Sequence, residues 1–167
     1  MKKKTVIYNR LAYIILLVLL LGLLPILVAK VSGLGVYGIL SDSMEPSYSV
    51  GSVVYTKEIS ANDVKAGDAI TFKMGAANKT VATHRVVENN VDGKYFITKG
   101  DHNKKQDGNS VAYQRLIGKV VFCLPFYGYV YMWMTSTVGL FICLGLLVVA
   151  SVLWILVAKE KKKTVAH

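Results

Sequence analysis

Only two cysteines occur among the 167 residues: Cys123 stands near the end of the central region, Cys143 inside an uncharged run. Pairing them is geometrically awkward, so no disulfide framework is expected. Compact Cys/His spacing is missing too, which argues against a zinc site built from His84, His102 and the nearby aspartates. No internal repeat is evident, and the middle of the chain shows no long helical period. Acidic residues are few, 10 against 20 Lys and Arg, for a net charge of +10. Such an excess invites a nucleic-acid reading until it is divided by position. Residues 1–10 carry +4 and residues 159–167 carry +3, leaving +3 for everything else. The charge therefore belongs to the two tails, and no nucleic-acid partner is expected.

Charge is absent altogether from residues 11–29, "LAYIILLVLLLGLLPILVA", and 137–158, "TVGLFICLGLLVVASVLWILVA". Each reaches the roughly 20 apolar residues that a helix needs to cross about 30 Å of hydrocarbon. The first is longer than a secretory h-region of roughly 7–15 residues, so it reads as an uncleaved anchor. Basic clusters outside both spans put both termini in the cytoplasm and the middle outside the cell membrane. Tyr127, Tyr129, Tyr131 and Trp133 stand where an outer aromatic belt would lie. The expected organisation is a basic tail over 1–10, a transmembrane helix over 11–29, an extracytoplasmic domain over 30–135, a second span over 136–158 and a basic tail over 159–167. The lysines can also touch anionic lipid, which makes the bilayer a partner.

From Val36 onward, short runs rich in Val, Ile, Thr, Tyr and Phe alternate with turn residues. "VYGIL", "VGSVVYT", "DAITFK", "KTVATHRVVE", "KYFITK" and "LIGKVVF" are separated by breaks such as "KAGD", "NNVDG" and "QDGNS". The pattern predicts a mostly β, mainly antiparallel domain between N- and C-terminal transmembrane helices. "NKT" at 78–80 fits a glycosylation acceptor in a eukaryotic secretory setting and is otherwise a turn.

A fold of this kind names no function, so the polar residues must. "SDSMEP" at 41–46 holds two serines in a turn-like context. His84 sits within "TVATHRVVE", where alternation puts Ala82, His84 and Val86 on one face and Val81, Thr83, Arg85 and Val87 on the other. "TKGDHNKKQD" at 98–107 adds Asp101 and Asp107. Ser, His and Asp together have the types needed for acyl transfer. A serine hydroxyl needs a base, imidazole can take its proton, and a carboxylate can hold the imidazole in the right tautomer.

In that order, after an N-terminal anchor, "SDSMEP", "KAGDAITF", "THRVV" and "FITKGDHNKKQD" resemble the boxes of type I signal peptidases. Histidine rather than lysine in "HRVV" is similar to the endoplasmic-reticulum-type (SipW-like) branch. The resemblance covers the anchor and nearly all of residues 36–122. It implies a signal-peptidase-like antiparallel β fold and a serine endopeptidase that removes signal peptides from exported preproteins, with no cofactor and no metal. It implies Ser43 as nucleophile and His84 as base. It implies Asp107 as the acid that orients the base and Asp101 as a second required carboxylate, while the sequence leaves open which of the two contacts His84. It also implies Ser41 as an oxyanion donor beside the Ser43 backbone N–H. Asp42 stands where the family usually has glycine, and is expected to face solvent. Partners implied are secretory preproteins, with accessory subunits or a translocon left open.

Ser43 follows Ala29 by 14 residues, so it lies no more than about 50 Å from the end of the first span. A substrate would bind extended along a β edge, with shallow pockets for small side chains. Two rivals compete. A catalytically inactive, membrane-anchored β-module binding a secreted partner has no use for Ser43, His84 and Asp107 together. A soluble self-cleaving peptidase with a lysine base fits neither the spans nor "THRVV".

Overall fold

The computed structural model describes residues 3–75 and 80–165, so Asn78 and Lys79 of the "NKT" pattern lie outside the described residues, as does His167. The chain divides into two compact units, Val28–Tyr129 and the two terminal segments. In the terminal unit, helix α1 spans Lys3–Val31 and α3 spans Thr137–Val165. Both helices start or end inside the basic tails, because lysine is a good helix former and nothing in those tails breaks the helix. Their mean hydropathy reaches 3.0 over an 18-residue window, long and apolar enough to cross a bilayer, in keeping with a membrane protein. Tyr13 and Trp154 meet edge to face, with centroids 5.9 Å apart at 75°. The aromatic group before the second span is helical, in α2 (Tyr127–Thr135).

The middle unit is a seven-stranded antiparallel sheet. Its strands are β1 (Gly35–Gly38), β2 (Val53–Lys57), β3 (Ala69–Lys73), β4 (Val81–Asn90), β5 (Tyr95–Lys99), β6 (Val111–Ala112) and β7 (Leu116–Leu124). Their spatial order is β1-β2-β7-β3-β4-β5-β6. Six strands fall on the runs rich in β-branched and aromatic residues. The two-residue β6 is too short to leave a periodic signal, and it exists because Phe96 pairs with Val111.

Apolar residues pack on both faces. Ile70, Phe72, Val86, Phe96 and Val111 form one buried cluster with Val64, and Phe96 stacks on Tyr113 at 4.8 Å. Ile39, Met44, Val54, Ala69 and Val120 form the second. This explains why β2 and β3 are buried at every position but their terminal lysines. Losing the Phe96 ring, fully buried, would cost about 3–5 kcal/mol. In β4, Ala82 lies opposite Phe72 and His84 opposite Ile70, so both face the first cluster. Thr83 lies opposite Thr71 on the other face, their hydroxyls 2.8 Å apart. The register slips between Val86 and Glu88, and the exposed Val87 has no β5 partner.

Candidate active site

Ser43 occupies a single 3₁₀ turn, Asp42–Met44, just after β1. Met44, buried to 1% exposure in the second cluster, anchors the turn. Asp42 beside it is exposed, as expected. From the other side the chain after β5 closes on the same turn. The His102 N–H donates to the Ser43 carbonyl at 3.0 Å. A Cβ at Gly100 would stand 2.5 Å from that carbonyl oxygen, so only glycine lets the two segments approach.

His84 projects from β4 between these elements. Its Nε2 is 3.2 Å from Ser43 Oγ, and its Nδ1 is 2.6 Å from Asp107 Oδ2. The same Asp107 oxygen accepts from Thr98 Oγ1 at 2.6 Å, and the Asp107 N–H donates to the Thr98 carbonyl at 2.8 Å. Thr98 faces Val86 across the β4–β5 pair, which is how a residue of the following loop is drawn back to His84. A carboxylate accepting from Nδ1–H leaves the Nε2 lone pair facing the serine hydroxyl. The imidazole and the carboxylate are mostly covered, at 17% and 21% exposure, so their bond is only partly diluted by water. A hydroxyl so placed can lose its proton to the imidazole while the carboxylate stabilises the cation formed. Ser41 Oγ lies 3.3 Å from Ser43 Oγ, bringing the first serine to the same point.

Asp101 is brought elsewhere. Arg85 Nε donates to Asp101 Oδ1 at 2.7 Å and Nη2 to Oδ2 at 2.6 Å, a two-pronged pair on the face of β4 opposite His84. Arg85 also donates to the Gly67 carbonyl at 2.8 Å and to Ser47 Oγ at 3.3 Å, tying the β2–β3 connection and the segment after Ser43 to one guanidinium. The Arg85 bonds hold the Asp101 carboxyl below its ordinary pKa against the opposing effect of burial. The alternation in β4 marks Arg85 as facing away from His84, but nothing local in the sequence pairs it with Asp101. Thr98 and Gly100 carried no sequence signal, because their roles depend on a partner in another strand or turn. Among the described residues no three His, Cys, Asp or Glu side chains converge as metal ligands. A groove of about 500 Å³ runs beside Ser43, between Tyr37–Ser41 and Thr80–His84.

No family model matches the chain. It is 34% identical over 115 residues to signal peptidase I W of Bacillus subtilis (strain 168), covering 62% of this chain and 60% of that protein. It is also 29% identical over 103 residues to the signal peptidase complex catalytic subunit SEC11C of Homo sapiens, covering 55% and 53%. A third relative, the catalytic subunit SEC11 of Ogataea parapolymorpha, is 29% identical over 119 residues, covering 60% and 67%. The chain is thus similar in sequence to signal peptidase I W and to SEC11-type catalytic subunits over the stretches these matches cover. The chain spans 60% and 53% of the first two relatives' own length, so signal-peptidase similarity covers part of each protein.

Proposed function

We propose that this signal-peptidase homologue is a membrane-bound serine endopeptidase that removes N-terminal signal peptides from exported preproteins at the outer membrane face. The observation that carries the proposal is the chain of two hydrogen bonds from Ser43 through His84 to Asp107. A catalytically silent binding module has no need of it.

In this reading Ser43 Oγ attacks the scissile carbonyl carbon as its proton passes to His84 Nε2, and Asp107 holds the imidazole and balances the imidazolium. The tetrahedral oxyanion is met by the Ser43 N–H and the Ser41 hydroxyl. The imidazolium then protonates the leaving amine, and water repeats the sequence on the acyl-enzyme, its proton passing to His84 and then to Ser43. Asp101 acts through structure, fixing Arg85 and with it the segment after Ser43. The groove beside Ser43 takes the peptide extended, with room for small residues at the first and third positions before the cut. Both termini lie in the cytoplasm and the sheet domain outside, which places Ser43 on the side where signal peptides emerge.

The test is cleavage of cellular preproteins by the detergent-purified chain against Ser43→Ala. A loss of about 10⁴-fold or more is expected, and the double change with His84→Ala should be little worse, because the two act as a unit. Retained cleavage in Ser43→Ala would be fatal to the mechanism.

A further inference from the structure

Strand β4 has β3 along one side throughout Val81–Arg85, whereas β5 joins its other side only from Arg85 onward. Among the described residues, Val81–His84 therefore form a free edge, and a cavity opens on each face of it. The first is the groove beside Ser43. Val81 and Thr83 line it together with Ile39 and Met44 of the second core cluster. The second, of about 490 Å³, lies on the face of Ala82 and His84, against Phe72 and Val111 of the first cluster. Asp107 and Arg115 border it. The two cavities share Met74, Ala82 and His84.

A peptide added to this edge projects successive side chains to opposite faces. Ser43, Ser41 and Met44 border only the first cavity, so the residue whose carbonyl meets Ser43 sends its side chain there, and so does the residue two before it. The residue between them faces the second cavity. Resting on the peptidase reading, we infer that the second cavity is the subsite for the second residue before the cut, and that Arg115 makes it favour an acidic side chain over a basic one. Arg115 is half-buried, and its two bonds go to main-chain carbonyls: Nη1 donates to Met74 at 3.2 Å and Nη2 to Ser110. Carbonyls hold the guanidinium in place without neutralising it, and they leave several of its five N–H donors for a ligand. The Asp107 carboxylate borders the same space with the opposite charge, but its Oδ2 is held by His84 and Thr98 and it has no donor to offer an acidic side chain. Arg115 is the cation among the described residues that line this cavity, and its unused N–H donors are what an acidic side chain would meet.

The experiment uses the full chain in detergent and model substrates with alanine at the first and third positions before the cut and Glu, Gln or Lys at the second. The parent should cleave the Glu peptide with a kcat/KM about fivefold above the Lys peptide, the size expected for a partly exposed charge pair. Arg115→Glu should reverse that ratio, and Arg115→Gln should bring it close to one. Because each ratio is taken within one variant, a change in the folded fraction cancels. A ratio that stays the same in both variants overturns the assignment and leaves the peptidase reading standing. Failure of the parent to cleave both these peptides and authentic preproteins removes the peptidase reading, and the subsite with it.

Discussion

Replacing Asp107 by Asn exchanges one oxygen for nitrogen at the point where two donors converge. Asp107 Oδ2 accepts from His84 Nδ1 and from Thr98 Oγ1, each at 2.6 Å. If the amide nitrogen takes that place, a donor meets His84 Nδ1, and the imidazole must carry its proton on Nε2 instead. Ser43 then faces N–H rather than a lone pair, and the base is gone. If the amide turns its oxygen inward, the hydrogen bond survives, but the imidazolium formed during attack loses the negative charge beside it. Either outcome should lower kcat by about 10⁴-fold, or about 5.4 kcal/mol of barrier. KM should change little, since Asp107 acts on the base rather than on the peptide backbone. Asp101→Asn supplies the contrast: its partner is Arg85, so it should cost about 1.5–3 kcal/mol of stability with a much smaller effect on turnover. The assay is steady-state cleavage of a preprotein by detergent-purified protein, with thermal unfolding followed by circular dichroism on each variant. Turnover within about tenfold of the parent in Asp107→Asn would refute the reasoning. So would a 10⁴-fold loss in Asp101→Asn with an unchanged melt, since the two carboxylates would then have the opposite roles.

Acid should weaken the sheet domain through two carboxyls held below their ordinary pKa. Arg85 lowers Asp101; burial opposes ionisation of Asp68, but Lys119 and the Lys65 N–H outweigh it. Their contribution is complete above the ordinary carboxylate pKa of about 4 and is lost as pH falls through the lower folded-state values. The midpoint of unfolding should fall from about pH 4 downward, less steeply in Asp101→Asn, and equal slopes would count against this account. Gly100→Ala puts a methyl group 2.5 Å from the Ser43 carbonyl oxygen, so it should displace the nucleophile and reduce cleavage by about 10²-fold. Full activity in that variant would show that the turn shifts freely. Reporters inserted after Ala29 and before Tyr127 should read as extracytoplasmic and terminal fusions as cytoplasmic, with an external C-terminus refuting the assigned orientation.

Much of the architecture was legible because it rests on local patterns. An uncharged run longer than a turn-bounded strand has few structures open to it, and the Val, Ile and Thr runs suit a pleated surface wherever they pair. The helical state of Tyr127–Thr135 was not visible, because an aromatic run suits a strand, a helix or a belt equally well until its neighbours choose. The tails were likewise read by charge alone, although their lysines continue the apolar helices.

By itself the sequence determined which Ser, His and Asp residues were candidates and, because side-chain alternation is a property of a single strand, the face of β4 from which His84 projects. It could not choose between Asp101 and Asp107, which lie six residues apart in a segment with no period to orient them. Tertiary structure made that choice through contacts distant in sequence. Pairing of β4 with β5 set Val86 opposite Thr98, and Thr98 drew Asp107 back onto His84. Arg85, one residue after His84 and so on the opposite face, took Asp101 away from it. The same pairing begins only at Arg85, leaving the edge from Val81 to His84 open with a cavity on each side. Where a strand partner stops is set by the path of the whole chain, because each ladder bond needs a second segment at the right distance, and no local stretch of sequence specifies that segment.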